Sequence, residues 1–343
     1  MSALYEISVV ISTYNRSEML AGALESVLRQ EARGVCYDVI VVDNNSTDNT
    51  REVVESYIAG GEHNLRYIFE PRQGSSYARN AGVAVTRSKI VAFADDDVRV
   101  AKNWIATIKR AFDEHPEIDC IGGKVLPLWC RPPRWLTREH WMPLALQDYG
   151  DLPLSINLNN PLCLVSANLA FRRAAFVDTG MFAPELQRIK NSIGSMEDAE
   201  LLERYWQTGR TCLYVPALIV ETHVTADRLT RAYHRRWHAG HGHFYAIKRS
   251  DEMERASSRL FDVPAHLYKR AVSDAAAWLY FVLRNPKRAF FYEARLHFFM
   301  GFFRKRREDY LAAGRRGFIG ELINFARSLA SKEGQGGIPK RCG

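Results

Sequence analysis

The feature that most constrains this chain is an alternation, across its first 125 residues, of short β-branched runs with stretches of helical period. Ile7-Ser8-Val9-Val10-Ile11 is apolar and stops at Ser12-Thr13-Tyr14-Asn15, which predicts a buried strand opening into a polar loop. Met19, Leu20, Ala23, Leu24, Val27 and Leu28 then fall on one helical face. A second strand is expected over 37–42, ending at Asp43-Asn44-Asn45-Ser46, and a second helix over about 48–59, with acceptor side chains at its start and Gly60-Gly61 behind it. Residues 65–69, 89–94 and 119–123 read as further strands, and 75–85 and 103–115 as helices. Such an order implies an α/β, doubly wound, mostly parallel sheet with helices on both faces. Ligands of these sheets sit at the carboxyl ends of the strands, so chemistry is expected in the loops that follow them.

Those loops share a polar character. The fourth strand ends in Asp95-Asp96-Asp97, and three adjacent carboxylates repel one another unless solvent or a cation compensates. A solvated acidic turn is one reading. The other is a site for Mg2+ or Mn2+, which take hard oxygen ligands and share the phosphate oxygens of a nucleotide. Asp43 is open in the same way: beside two asparagines it can hold its own turn, or accept hydrogen bonds from a ribose. No Walker A loop is present and no GxGxxG follows the first strand, so P-loop NTPases and dinucleotide dehydrogenases fit poorly. Gly74-Ser75-Ser76 opens a helix and is only a weak anion signal.

Composition narrows the class. With 47% hydrophobic and 25% charged residues in 343, the chain is an ordinary globular one, and no apolar run approaches the length of a membrane span. The N-terminal segment lacks the pattern of a secretory signal. The six cysteines, at 36, 120, 130, 163, 212 and 342, form no CxxC pair, and the expectation is reduced, mostly buried thiols in a cytoplasmic protein. The net charge of +8 is uneven: residues 226–343 carry 24 Lys+Arg against 11 Asp+Glu, leaving the front half acidic. The rear is helical in period and holds 10 aromatics between positions 278 and 303, flanked by Arg284, Lys287, Arg288 and Arg304-Lys305-Arg306-Arg307. Aromatics bordered by cations suit the interface of an anionic membrane; packing inside a helical subdomain or in a homodimer contact is the alternative. No nucleic-acid module is recognisable, so nucleic acid is not expected as a partner.

Several segments resemble family 2 glycosyltransferases. ISVVISTYNR from Ile7, VVDNNSTDNT from Val41, GSSYARNAG from Gly74 and IVAFADDDV from Ile90 are similar to the nucleotide-sugar-binding half of that family, in the same order and spacing. SANLAFRR from Ser166, MEDAEL from Met196 and the stretch 220–240, with His223 and Arg235-Arg236-Trp237, resemble its acceptor side. The resemblance covers about residues 5–245 and implies a GT-A-type fold, Mn2+ or Mg2+ as cofactor, and inverting transfer from a nucleotide-diphosphate sugar, a UDP-sugar first among donors; the helical period beyond it adds a C-terminal helical extension. By position it places Ser12, Tyr14 and Asp43 in the base and ribose pocket and Arg79 near the diphosphate or sugar. It also puts Asp95, Asp96 and Asp97 in the DxD-type cluster, with Asp97 and Asp95 as metal ligands and His223 near the metal. Asp198, beside Glu197, matches the general base. An inverting displacement needs a carboxylate to take the acceptor's proton and a cation to offset charge on the leaving phosphate, so the two acidic sites should flank the sugar. Arg231, Arg235 and Arg236 would clamp the diphosphate or form a solvated stripe.

The family's processive synthases carry QxxRW and membrane spans. Here the nearest segment is His234-Arg235-Arg236-Trp237, which points to a single-addition, bacterial-type enzyme. The expected layout is a nucleotide-sugar half over 1–125, an acceptor half over 126–245, a basic aromatic-rich extension over 246–331 and a disordered tail over 332–343. The setting implied is surface polysaccharide or glycolipid assembly, with an acceptor sugar or lipid-linked saccharide, at the inner face of the cell membrane. A nucleotidyltransferase acting on a sugar phosphate, or a sugar-nucleotide-binding scaffold without turnover, are the competing readings. Trp129, Trp135, Trp141 and Tyr149 stack on an acceptor or pack the core; the sequence leaves both open.

Overall fold

The computed structural model describes residues 5–129, 131–187, 193–256 and 258–314. They fall into two compact units, the first ending at Thr230 and the second beginning at Arg231. The first unit runs β1 (Ile7–Thr13), α1 (Ser17–Leu28), β2 (Tyr37–Asp43), α2 (Thr50–Ala59), β3 (Leu65–Phe69), α3 (Ser75–Val85), β4 (Ile90–Asp95), β5 (Val98–Val100), α4 (Trp104–Glu114) and β6 (Cys120–Leu128). It continues with β7 (Leu154–Ile156), β8 (Asn168–Arg172), α5 (Ala175–Thr179), α6 (Glu197–Gln207) and β9 (Cys212–His223).

These strands form one sheet in the order β3-β2-β1-β4-β8-β6-β9-β5, with β7 on β9. The first four are parallel, as the βα alternation requires. The apolar runs of β1, β2 and β4 are buried on both faces: Val10, Ile40, Val42, Val91 and Phe93 lie in one core with Ala78 and Val83 of α3. Gly82 lets α3 sit directly on β1, since a Cβ there would come within 2.4 Å of Val10 Cγ1. Beyond β4 the sheet departs from the simple alternation. The strand expected over 119–123 exists as β6, but it is not the neighbour of β4. β8 is inserted between them, antiparallel to both, while β6 and β9 are parallel.

Of the four described cysteines only Cys120 and Cys212 are buried; Cys36 and Cys163 are exposed, because they fall in loops rather than strands. Cys130, Cys342 and the tail over 332–343 lie outside the described residues.

The second unit comprises α7 (Arg231–Lys248), α8 (Asp251–Glu254), a two-stranded ribbon of β10 (Arg259–Leu260) and β11 (Val263–Pro264), α9 (Ala265–Phe281) and α10 (Pro286–Ala312). Phe299 and Phe302 of α10 pack with Ala246, Met253, Val263 and Leu267. α7 and α10 meet backbone to backbone: a Cβ on Gly301 would stand 1.9 Å from the Ala239 carbonyl oxygen, and one on Gly242 2.0 Å from that of Phe298. Arg306, fully buried, is held by Glu254 at 2.7 Å and Asp262 at 3.0 Å. Much of the aromatic enrichment thus serves this interior, with Phe290 buried as well. No helix among the described residues is long and apolar enough to cross a membrane.

Candidate active site

The carboxyl end of β1 is the centre of the site, because its two neighbours bring acids beside it: Thr13 stands opposite Asp43 of β2, and Ser12 opposite Asp95 of β4. The loops that follow are stapled to one another. Asn15, at a left-handed φ of 51°, donates its main-chain N–H to Ser46 Oγ at 2.9 Å and accepts from the Thr47 N–H at 2.7 Å. Asp43 Oδ1 accepts the Ser46 N–H at 2.9 Å and its Oδ2 accepts the Tyr67 hydroxyl at 2.7 Å, so it holds its own turn. Asn44 donates through Nδ2 to the Arg72 carbonyl at 2.6 Å and accepts the Gly74 N–H at 2.6 Å. Its main-chain N–H donates to the Thr13 carbonyl at 2.9 Å. Ser12 and Tyr14 are half-buried at this mouth.

The three adjacent aspartates diverge. Asp96 is buried and accepts Thr13 Oγ1 at 2.9 Å and Arg16 Nη1 at 3.0 Å. Asp97 accepts the same Arg16 Nη1 at 3.2 Å and Thr222 Oγ1 at 3.4 Å, with Arg228 Nη1 at 3.7 Å. Asp95 is the most exposed of the three and meets Arg79 Nη2 at 3.4 Å. Burial pushes the Asp96 carboxyl up to about 6, opposed by the Arg16 charge and assisted by the neighbouring aspartates. His223 closes β9; its main-chain N–H donates to the Asp97 carbonyl at 3.0 Å, while its ring is exposed. No three His, Cys, Asp or Glu side chains converge on one point among the described residues. The imidazole is therefore not drawn into a cage with Asp95 and Asp97. Those two carboxylates still fit a divalent cation of the kind that takes one or two protein oxygens and completes its shell with phosphate and water.

The second acidic site opens α6. Glu197 and Asp198 occupy its first turn, where the helix dipole favours negative charge. Asp198 Oδ2 accepts both the main-chain N–H and the hydroxyl of Ser166, at 2.9 and 3.0 Å. Its Oδ1 is shielded from solvent and has no hydrogen-bond partner among the described residues. Burial pushes the Asp198 carboxyl up to about 6; Arg79 opposes this, the Glu197 charge adds to it and the Ser166 N–H opposes it again. Glu197 Oε1 accepts Arg79 Nη1 and Ser75 Oγ, each at 3.1 Å, and Oε2 is shielded without a partner among the described residues. Arg79, itself buried, therefore spans from Asp95 to Glu197 and links the two acidic sites.

Sequence reasoning passed over several participants. Arg16 ends the first quoted motif and Ser166 begins the SANLAFRR segment, so both lay within view; Thr222 and Arg228 carried no local signal. In the second unit, Arg235 meets Glu293 at 2.6 Å and Arg231 lies 5.1 Å over the Phe290 ring. Trp129 and Trp141 are edge to face at 6.5 Å and half-buried. Trp129 follows Leu128, which pairs with His223 in register, and so stands at the same sheet end as Asp97.

The profile of the family described as "Glycosyl transferase family 2" matches residues 8–180. The chain is 26% identical over 213 residues to the glucosyl-dolichyl phosphate glucuronosyltransferase of Haloferax volcanii, covering 61% of this chain and 66% of that protein. It is 33% identical over 129 residues to glycosyltransferase AglE of the same organism, covering 36% and 40%. The matched stretch thus spans less than two thirds of the length of these relatives. Among solved structures, a mannosyltransferase of Pyrobaculum calidifontis in complex with GDP-Man and Mn2+ superposes with a TM-score of 0.52 at 17% identity, over 97% of this chain and 81% of that one. TarS 1–349 of S. aureus in complex with UDP gives 0.51 at 18%, over 90% and 92%. The fold is the same GT-A-like α/β sheet. With the profile covering more than half the chain and every strand-end loop from Ser12 to Asp97, this protein belongs to glycosyltransferase family 2.

Proposed function

We propose that this chain transfers one sugar, with inversion, from a nucleotide-diphosphate sugar to an acceptor hydroxyl, and that Asp198 is the general base. The observation that carries the reading is the asymmetry of that carboxylate: one oxygen fixed by two donors from Ser166, the other shielded and without a partner among the described residues. A base needs this arrangement, because the held oxygen sets its direction and the free one receives the proton. With its carboxyl near 6, Asp198 is ionised at neutral pH yet more basic than an exposed aspartate.

In the proposed reaction the acceptor oxygen bonds to the anomeric carbon as the bond to the donor's phosphate oxygen breaks, and the hydroxyl proton passes to Asp198 Oδ1. Arg79 pairs with both Glu197 and Asp95 and so holds the base-bearing helix turn against the end of β4. Ser12 and Asp43 receive the nucleoside, Tyr14 covering it. Asp97, with Asp95, would hold a divalent cation, which supplies positive charge to the leaving diphosphate when bound. The GDP-Man and UDP named for the solved relatives support a nucleoside-diphosphate donor; a UDP-sugar is our first choice. The name of the Haloferax relative supports an acceptor carried on a lipid phosphate; its use at the inner face of a membrane is our own placement. Trp129 and Trp141 would offer that acceptor a stacking surface.

The test is nucleotide release from UDP-, GDP- and dTDP-sugars with Mn2+, Mg2+ or chelator, for the parent and Asp198→Asn. Release from one donor that the substitution abolishes, with nucleotide binding kept within a few-fold, is the expected result. Loss of nucleotide binding in Asp198→Asn would make the residue structural and end the assignment.

A further inference from the structure

α9 has one face that the second unit does not use. Ala265, Leu267 and Asp274 are buried. On its outer side Val272, exposed Ala276, Leu279 and, in the turn just beyond the helix, Leu283 recur at spacings of four, three and four residues, which is one helical stripe. These side chains are not marginally exposed: Val272 is 70%, Leu279 65%, Tyr280 55% and Leu283 93% accessible. Scattered single apolar side chains need no explanation, but a continuous stripe does.

The charges around the stripe say what covers it. From Ala275 to Tyr292 there is no acidic residue, and Arg284, Lys287 and Arg288 stand exposed at the α9–α10 turn. Two of these cations lie along aromatic faces, Arg284 at 4.3 Å over Tyr280 and Arg288 at 4.8 Å over Phe281. The acid of α9, Asp274, is buried and met by Arg295 at 2.9 Å. Over residues 231–314 the sequence holds 17 Lys+Arg against 8 Asp+Glu. A second copy of the chain is a poor occupant, because a two-fold contact would set the Arg284–Arg288 cluster against itself. A bilayer bearing anionic headgroups satisfies both features, taking the apolar stripe at the acyl boundary and the cations at the phosphates. A helix too short and too polar to span lies in that plane rather than across it.

We propose that the stripe Val272–Leu279–Leu283, with Tyr280 and the Arg284, Lys287 and Arg288 cluster, is an in-plane docking surface for an anionic lipid bilayer. This surface is independent of the chemistry assigned to Asp198. The full chain is mixed with sedimentable vesicles of phosphatidylcholine alone, or of phosphatidylcholine with phosphatidylglycerol, at low and high salt. The parent is expected to bind only the anionic vesicles, and less at high salt. Arg284→Gln/Lys287→Gln/Arg288→Gln should weaken binding on the order of 100-fold, about fivefold for each charge. Leu279→Ser/Leu283→Ser should weaken it by at least about tenfold. Thermal unfolding and nucleotide binding, followed in parallel, should stay at parental values, so that a failure of catalysis and a failure of docking are read separately. Parental binding by both variants, or equal binding to neutral vesicles, overturns the proposal. So does a parental dimer, seen by sedimentation velocity, that Leu279→Ser/Leu283→Ser dissociates while vesicle binding is kept. If the leucine variant does not fold, the charge variant alone decides.

Discussion

Replacing Asp198 by asparagine should separate activity from stability, and the pH dependence of that separation can be worked from the structure. The carboxyl moves from an ordinary 3.8 to about 6 on folding, which corresponds to ~3 kcal/mol. Because the folded-state value is raised, the native protein holds this proton where the unfolded chain has released it. Below about pH 4 both states are protonated and the group contributes nothing. As pH rises from 4 to 6 the native state loses stability on its account, and the loss is complete by pH 7. The asparagine of the variant does not titrate, and its carbonyl oxygen can still accept from Ser166. Asp198→Asn should therefore gain on the parent by ~3 kcal/mol between pH 4 and 7, while turnover falls by about 10³, within the usual range for a general base. Urea unfolding of both proteins at pH 4, 5, 6 and 7 reads the difference directly, and Asp96, which titrates in the same range, cancels because it is present in both. A constant difference across that range would refute the burial argument, and an active variant would refute the role of the base.

Three further outcomes are expected. Arg79→Met leaves Glu197, Asp95 and Asp198 without their shared cation and should cost about 3–5 kcal/mol at pH 7; the cost should shrink at pH 5 as Asp198 protonates, and differential scanning calorimetry at the two pH values checks this. Asp97→Ala should weaken nucleotide-sugar binding measured with Mn2+ by about tenfold or more, and chelator should weaken the parent as much while leaving the variant unchanged; calorimetric titration distinguishes the two. Gly301→Val puts atoms where the Ala239 carbonyl stands 1.9 Å from a Cβ, so α7 and α10 must separate, and thermal unfolding should show a loss of at least about 1–3 kcal/mol.

How far the molecule can be read from its sequence depends on whether a residue's partner is near it in the chain. β1, β2 and β4 are apolar, β-branched and end in polar loops, so local pattern suffices for them and for α1 to α4. β8 is different. It starts at Asn168, a fully buried polar residue that breaks the apolar pattern and whose side chain is satisfied by Trp104, Lys124 and Leu218, from three other segments. Its place between β4 and β6 is therefore invisible to any window along the chain. The site divides in the same way. Asp95–Asp97 and Glu197-Asp198 announce themselves as clustered acids, but the role of Arg16 depends on two aspartates some eighty residues away. Likewise the free oxygen of Asp198 has meaning only once Ser166 is seen to hold the other.

Asn44 has a consequence for how donor preference changes. One amide side chain and its own N–H join the ends of β1 and β2 to the segment from Arg72 to Gly74 that opens α3. Amide protons of these three loops should therefore exchange together, as one opening unit rather than three. On the proposed reading, in which these loops floor the nucleoside, a substitution that reshapes the floor is felt at all three of them at once. On that reading, a change of donor falls to positions outside these bonds, such as the half-buried Tyr14, whose exchange leaves the floor intact.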